Sequence, residues 1–358
     1  MKSFLDHIPP PEFLSMPAVG VDISDGWIRF IGFKGKGKHR MLDLYGSVPL
    51  GDGVIVDGYV NEPEKVTALL KDIKEKNDLS FVNVSLPEEK AYIFTTTIPK
   101  VSVKEIRNAL EFRIEENVPV STADAVFDYS VITKKSESNP DHIDVGVAVL
   151  PEKVSETYIS IIKNAGLSVK SFDIEPRAVA RAIIPEDDNR TFVVVNFKEY
   201  KTGLYIVNNG VVQFTSTISM GGGEITGAIK DHFSVSSDKV QDVKVKKDTE
   251  SSKDDKNPVS SLVDTVSSLK REIDKLLTYW NSRKEKDGNP APTVDLVLLV
   301  GKNAGFEGFS EYLSSFLKIE VEIADVWQKS FTVSDYIPPI HFSESLSYSA
   351  AIGSALRE

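Results

Sequence analysis

Two stretches of the chain share a strand–turn–strand layout, and their turns carry the residues best suited to chemistry. In GVDISDGWIRFIGF, residues 20–33, the turn region holds Asp22, Ser24, Asp25 and Gly26. In VVVNFKEYKTGLYIV, residues 193–207, it holds Asn196, Lys198, Glu199, Tyr200 and Lys201, and its only glycine is Gly203. Two such hairpins facing one cleft can hold a nucleotide's phosphates between backbone N–H groups, with an acid such as Asp22 positioning Mg²⁺. Asp22 fits an Asx-turn at a strand end equally well. The second turn repeats the layout of the first with that chemistry removed.

Other candidates carry weaker signals. Gly221, Gly222 and Gly223 precede a helical pattern. A helix N-terminus attracts anions and glycine permits close approach, yet a plain loop has the same composition. Glu175-Pro176 at a helix start offers a base or a water-orienting carboxylate, or simply an acid favoured at that end of a helix. His7, His39, His142, His232 and His341 are scattered, with no pair at metal-ligand spacing. No phosphate-loop or nucleophile-elbow signature is present. Lys34, Lys36 and Lys38 read as a solvated hairpin tip.

Composition narrows the classes. A chain of 358 residues calls for two or more domains. A net charge of −11 argues against nucleic acid as the main partner, since phosphate backbones need a basic face. The absence of Cys removes disulfides, thiol nucleophiles and cysteine metal sites, and fits a reducing compartment. Asp6, His7 and three prolines interrupt any signal-peptide core near the start, and no run of apolar residues is long enough to span a membrane. A cytoplasmic location is expected.

The elements that must position these residues follow from periodicity. Residues 1–17, with Pro9, Pro10, Pro11 and Pro17, form an extended arm. Strands are expected over 18–23, 26–33, 40–50 and 81–86, with an amphipathic helix over 63–76. A second module starts near residue 87: a strand over 90–99, a helix opened by Ser102 with Glu105 at capping-box spacing, strands over 127–132 and 142–150, and a helix over 154–164. A strand over 169–174 leads into a helix from Glu175. After the second hairpin come a strand over 211–219, a helix over 224–233, a polar loop over 246–257, a long amphipathic helix over 259–283, a buried strand over 294–301, and helices over 306–317 and 345–356.

This order of parts resembles the actin-like pilus-assembly family PilM. GVDISDGWIRF, SLPEEKAYIFTTTIP, KEIRNALEFRIEENVPVS, FDYSVI, IEPRAVARAII, VVVNF, ISMGGGEIT and DLVLLVG carry the resemblance from about residue 18 onward. IEENVPVS followed by DYSVI is similar to the subdomain that this family and the division protein FtsA insert into the actin-like fold. The resemblance implies an α/β, two-lobed actin-like (ribonuclease H-like) ATPase fold with that small α+β subdomain in the first lobe. It divides the chain into the arm 1–17, a first lobe of 18–86 and 168–190 closed by a helix at 345–358, an insert over 87–167, and a second lobe over 191–344 with a mobile loop at 246–257.

The family sits on the cytoplasmic face of the inner membrane. It holds the short N-terminal tail of the membrane protein PilN beside the insert and binds ATP between its lobes. Contacts with pilus motor ATPases and self-association are further implications. Carried over, Asp22 is the Mg²⁺-side acid, with Ser24, Asp25 and Gly26 around the phosphates. Glu175 orients water, Gly221 and Gly222 contact nucleotide, and Lys244 lies on the adenine side with Gly301. The departures are Asn196 where the family has Asp, Lys198 where it has Gly, and Lys302 and Asn303 after Gly301 in place of a glycine run. They imply a non-enzymatic adaptor with a weakened nucleotide site. A slow ATPase using Asp22 and Glu175 is the alternative. An FtsA-like division protein is a third, against which stands the lack of an amphipathic C-terminal tail.

Overall fold

β-Branched and aromatic runs become two five-stranded sheets built to one plan. The computed structural model describes residues 18–132, 141–221, 258–283, 290–302, 304–306 and 308–357, with the side chains of 258–265 left out. The extended arm, the helix over 224–233 and the polar loop over 246–257 therefore lie outside the described residues.

β1 (Val19–Ile23), β2 (Trp27–Lys34) and β3 (Met41–Pro49) form an antiparallel meander. β4 (Ile55–Val56) and β5 (Tyr59–Val60) make a small ribbon. α1 (Pro63–Asn77) starts on a proline and buries Val66, Leu70 and Ile73. It ends where Asp78 takes a left-handed φ of 51°. β6 (Phe81–Leu86) then runs parallel to β1.

The next segment makes its own sheet. β7 (Tyr92–Pro99), α2 (Val103–Asn117), β8 (Ala125–Ile132) and β9 (His142–Pro151) give the strand order β7-β9-β8. Ile106, Leu110 and Ile114 of α2 form one core with Val145, Val147 and Val149 of β9. The capping box is present, with the Ser102 backbone N–H donating to Glu105 at 3.0 Å. Through α3 (Glu152–Asn164) the chain returns to β10 (Ser168–Ile174), beside β6, and α4 (Glu175–Ile183) follows at once.

The second large sheet holds β11 (Thr191–Phe197), β12 (Thr202–Asn208) and β13 (Val211–Ile218). After α5 (Pro258–Ser282) come β14 (Leu296–Gly301), α6 (Phe309–Leu317) and β15 (Val321–Ile323). The orders are β10-β6-β1-β2-β3 and β13-β12-β11-β14-β15. Each sheet is thus an antiparallel meander whose first strand is then flanked by two parallel strands. Every residue of β11, β12 and β14 is buried, because the sheet is covered on both faces, which explains the unbroken apolar runs.

The helix expected over 345–356 is broken. α7 (Phe342–Ser345), a 3₁₀ turn at Leu346–Tyr348 and α8 (Ser349–Ala355) take its place. The small residues of α8 have a packing reason. A side chain at Gly353 would collide with the backbone of Ala178 in α4, and one at Gly20 with the backbone of Ala351. Likewise the strand expected from 294 begins at Leu296, and the helix expected from 306 begins at Phe309, after Gly308 at φ 79°.

Candidate functional site

The ends of β1, β6 and β11 and the start of α4 converge on one cleft. Asp22 pairs across the first hairpin with Arg29. β6 ends at Leu86 and delivers Glu88 and Glu89 on a 3₁₀ turn. Asn196 sits in β11 opposite Gly203, and Glu175 is the first residue of α4. Gly203 leaves room for Glu88: a Cβ there would come within 2.8 Å of Glu88 Oε1.

At the centre stands the Lys198 ammonium. It donates to Glu89 at 2.7 Å, to Glu88 at 3.0 Å and to Glu175 at 3.1 Å. Asn196 Nδ2 donates to the other Glu175 oxygen at 2.7 Å and approaches the Tyr205 hydroxyl at 3.1 Å. Burial alone would lower the Lys198 pKa, but the surrounding carboxylates outweigh it and hold it well above the ordinary value. Burial, then the Glu175 charge, pushes Glu88 up to about 8, so Glu88 keeps its proton at neutral pH and donates to Glu175. Burial raises Glu175 as well, and brings Asp22 up to about 6 against the pull of Arg29 and Lys198.

All four residues of the second turn reach across the cleft. Lys198 enters the carboxylate cage. Glu199 accepts from Trp27 Nε1 at 3.0 Å and from Lys302 Nζ at 2.8 Å. Tyr200 bonds Asp52 through its hydroxyl. Lys201 pairs with Asp25 at 3.1 Å and with Asp57. The hairpin tips are in contact, since a Cβ on Gly26 would meet Glu199 Cβ at 3.0 Å. The cavity left between them is about 20 Å3. Among the described residues, no group of three or more His, Asp or Glu side chains is arranged to hold a metal ion.

Asp22, Ser24, Glu175, Lys198 and Gly301 line that small cavity together, joined by Asn196 and Lys302. Asp25 is turned to Lys201 instead, and burial beside Glu89 raises its pKa. Gly221 packs on the backbone of Glu199 and Tyr200, so the space it leaves is filled by the hairpin. Gly222, Asn303 and Lys244 lie outside the described residues. Sequence reasoning missed Glu88, Glu89 and Arg29. The available signal was Arg29 on the same strand face as the fully buried Ile31, two residues on.

With this geometry in hand, comparison with known proteins is informative. A family model described as type IV pilus assembly protein PilM matches residues 20–358. The solved PilM-PilN type IV pilus biogenesis complex is 19% identical, covers 96% of this chain and 98% of its own, and superposes with a TM-score of 0.72. Ethanolamine utilization protein EutJ from Carboxydothermus hydrogenoformans is 14% identical over 98% and 91% of the two chains, with a TM-score of 0.51. MreB5 of Spiroplasma citri, bound to ADP, is 13% identical over 96% of each, with a TM-score of 0.50. At such identities these likenesses are of fold, and the fold is the two-lobed actin-like one. The family match spans nearly the whole chain, and on it this chain belongs to the type IV pilus assembly protein PilM family.

Proposed function

We propose that this chain is a cytoplasmic, non-enzymatic adaptor of the inner-membrane assembly complex of a type IV pilus or related secretion machine. It holds the short N-terminal cytoplasmic tail of a PilN-like membrane protein and is tied to the membrane through it. The likeness to the PilM-PilN complex supports a partner of that kind. No helix among the described residues is long and apolar enough to cross a membrane.

The observation that carries the adaptor reading is the second turn. Residues 198–201 bond the opposite hairpin and its neighbours directly, in the space where a nucleotide's phosphates would lie. The Lys198 ammonium already sits among the carboxylates that would face a cation, so Mg-nucleotide does not fit between the tips as they stand. The nucleotide site is accordingly weakened.

The insert spans 87–167, flanked by the first lobe at 18–86 and 168–190, with the second lobe at 191–344. The tail lies in the groove between first lobe and insert, beside α2. Phe112 of α2 is 75% exposed, a large apolar side chain open to such a tail. A synthetic tail peptide from a PilN-like protein should raise the melting temperature of the full chain, and Phe112→Asp should abolish that rise. A peptide that leaves melting temperature and amide chemical shifts unmoved removes the adaptor reading.

A slow ATPase is the second reading, favoured by the retention of Asp22 and Glu175 in one buried cluster. Mg-ATP turnover that vanishes in Asp22→Ala would establish it, and no turnover in the presence of partner would end it.

A further inference from the structure

A basic stretch of this acidic chain stands out at the tip between β2 and β3. Residues 34–40 hold Lys34, Lys36, Lys38 and Arg40 and no acid, in a chain of net charge −11. Lys34 lies across the strands from Met41, and a 3₁₀ turn over Gly37–His39 closes the tip. Gly35 and Gly37 take left-handed φ values of 88° and 60°, which leaves the lysines at positions that tolerate a side chain. A Cβ on Gly37 would meet nothing within 4 Å, so the tip projects. Arg40 donates to the Gly37 carbonyl at 3.1 Å and holds the shape of the turn. Lys34 pairs with Asp43 at 2.5 Å. Lys36 and Lys38 are exposed and, among the described residues, meet no carboxylate within ion-pair distance.

Apolar surface adjoins this charge. β3 is the edge strand of its sheet, and the loop over 330–339 is tied to it at both ends. The Arg40 backbone N–H donates to the Ser330 carbonyl at 3.1 Å, and the Tyr45 hydroxyl donates to the Pro339 carbonyl at 3.1 Å. Phe331 and Ile340 are buried, and Tyr336 packs edge-on against Phe331. The loop thus turns its rings inward and leaves aliphatic side chains outside. Val333 and Ile337 face solvent, as does Met41 beside the tip, and Ile337 is 79% exposed. Asp335 is an acid on this loop, and it accepts from the Thr332 hydroxyl.

We propose that this surface rests directly on an anionic membrane, with the tip lysines among the lipid headgroups and Met41, Val333 and Ile337 at the boundary with the acyl chains. Lysines beside protruding aliphatic side chains suit such an interface, because headgroup attraction and apolar burial add. The shape favours lipid over an acidic protein. A protein partner needs a groove with pockets, whereas these side chains project from two loops. The exposed cations are lysines, which give charge without the fixed two-oxygen geometry of an arginine pairing. The rest of the chain is more negative still, so an anionic bilayer repels it in other orientations and selects this face.

This goes beyond the adaptor reading and does not rest on it, since no tail stands between protein and lipid and the surface lies on the first sheet. The test is sedimentation of the full chain with vesicles of phosphatidylcholine, with and without phosphatidylglycerol. The chain should go down with the anionic vesicles and stay in solution with the neutral ones, and binding should fall as salt rises. Lys36→Glu and Lys38→Glu together should weaken binding by about tenfold or more. Ile337→Asp should weaken it as well. Lys65→Glu and Lys71→Glu together make the same charge change on α1 and should leave most of the binding. All these positions are exposed, so melting temperatures should match the parent. No sedimentation with anionic vesicles overturns the proposal. So does equal binding to neutral vesicles, or an equal loss in the α1 pair. Binding that survives unchanged in Ile337→Asp also overturns it and marks the tip as a patch for an acidic protein. Tail-peptide binding by the same variants should be unaltered, so failure here and failure of the adaptor reading are told apart.

Discussion

The ammonium of Lys198, on the turn of one sheet, lies 3.1 Å from the carboxylate of Glu175, the first residue of the helix that leaves the other. Lys198 is thus the cation of a cage whose carboxyl groups come from Glu88, Glu89 and Glu175, that of Glu88 protonated. Removing it strands buried acids. Lys198→Ala should lower unfolding stability by about 3 kcal/mol, read by urea titration. The vacated cage should then accept a divalent cation. Millimolar Mn²⁺ is expected to recover part of the lost stability in the variant and to leave the parent chain unchanged. A variant as stable as the parent would mean that the cage does not hold the hairpin in place.

The buried acids also set a pH dependence. Glu88 is raised to about 8 and Asp22 to about 6, above their unfolded values. Between those values and the ordinary carboxylate range the folded state holds protons that the unfolded chain has released. Stability from these groups therefore falls as pH rises through roughly 4 to 8 and levels off above. For Glu88 the change is on the order of 5 kcal/mol. Melting temperature should decline from pH 5.5 to 8, and Glu88→Gln should flatten the decline while keeping a donor toward Glu175. A parent chain with no slope in that window would contradict the assignment of the shared proton to Glu88.

The close approach of α8 to α4 gives a third expectation. Gly353→Val places two methyl groups where the backbone of Ala178 already lies. The helices must separate, at a cost of about 3 kcal/mol, measurable as an earlier denaturation midpoint with an unchanged slope. Gly37→Val is a control for added bulk, since nothing lies within 4 Å of the Cβ position there. Its cost is limited to backbone strain at φ 60°.

Periodicity located the longer strands and helices of the described residues because each buries one face or both, and missed the short strands β4, β5 and β15, which are too short to show a period. The alternation in β2 and the stripe of Ile106, Leu110 and Ile114 state their partners in advance. The two hairpins could be read as a pair for the same reason. What could not be read was who meets whom across the cleft. Glu88 and Glu89 look like a solvated turn after a strand, and only tertiary contact makes them partners of a lysine 109 residues and more away. Arg29 could be placed on the strand face of Ile31, but not what that face meets. It faces the cleft because β2 is covered on that side by the second half of the chain. The break between α7 and α8 was hidden too. Its residues continue a helical pattern, and the 3₁₀ turn serves to lay α8 against β1.

The seating of α8 has a consequence for how the chain comes into being. Asn83 of β6 gives its amide protons to the carbonyls of Ser354 and Arg357, the first of these 271 residues further on. Gly20 is likewise shaped to take the backbone of Ala351. A ribosome makes both strands early and their cover very late. At about 5–20 residues per second, β1 and β6 wait tens of seconds or less with an apolar face and unsatisfied amides. During synthesis the first sheet is therefore a template held open until that last helix is made.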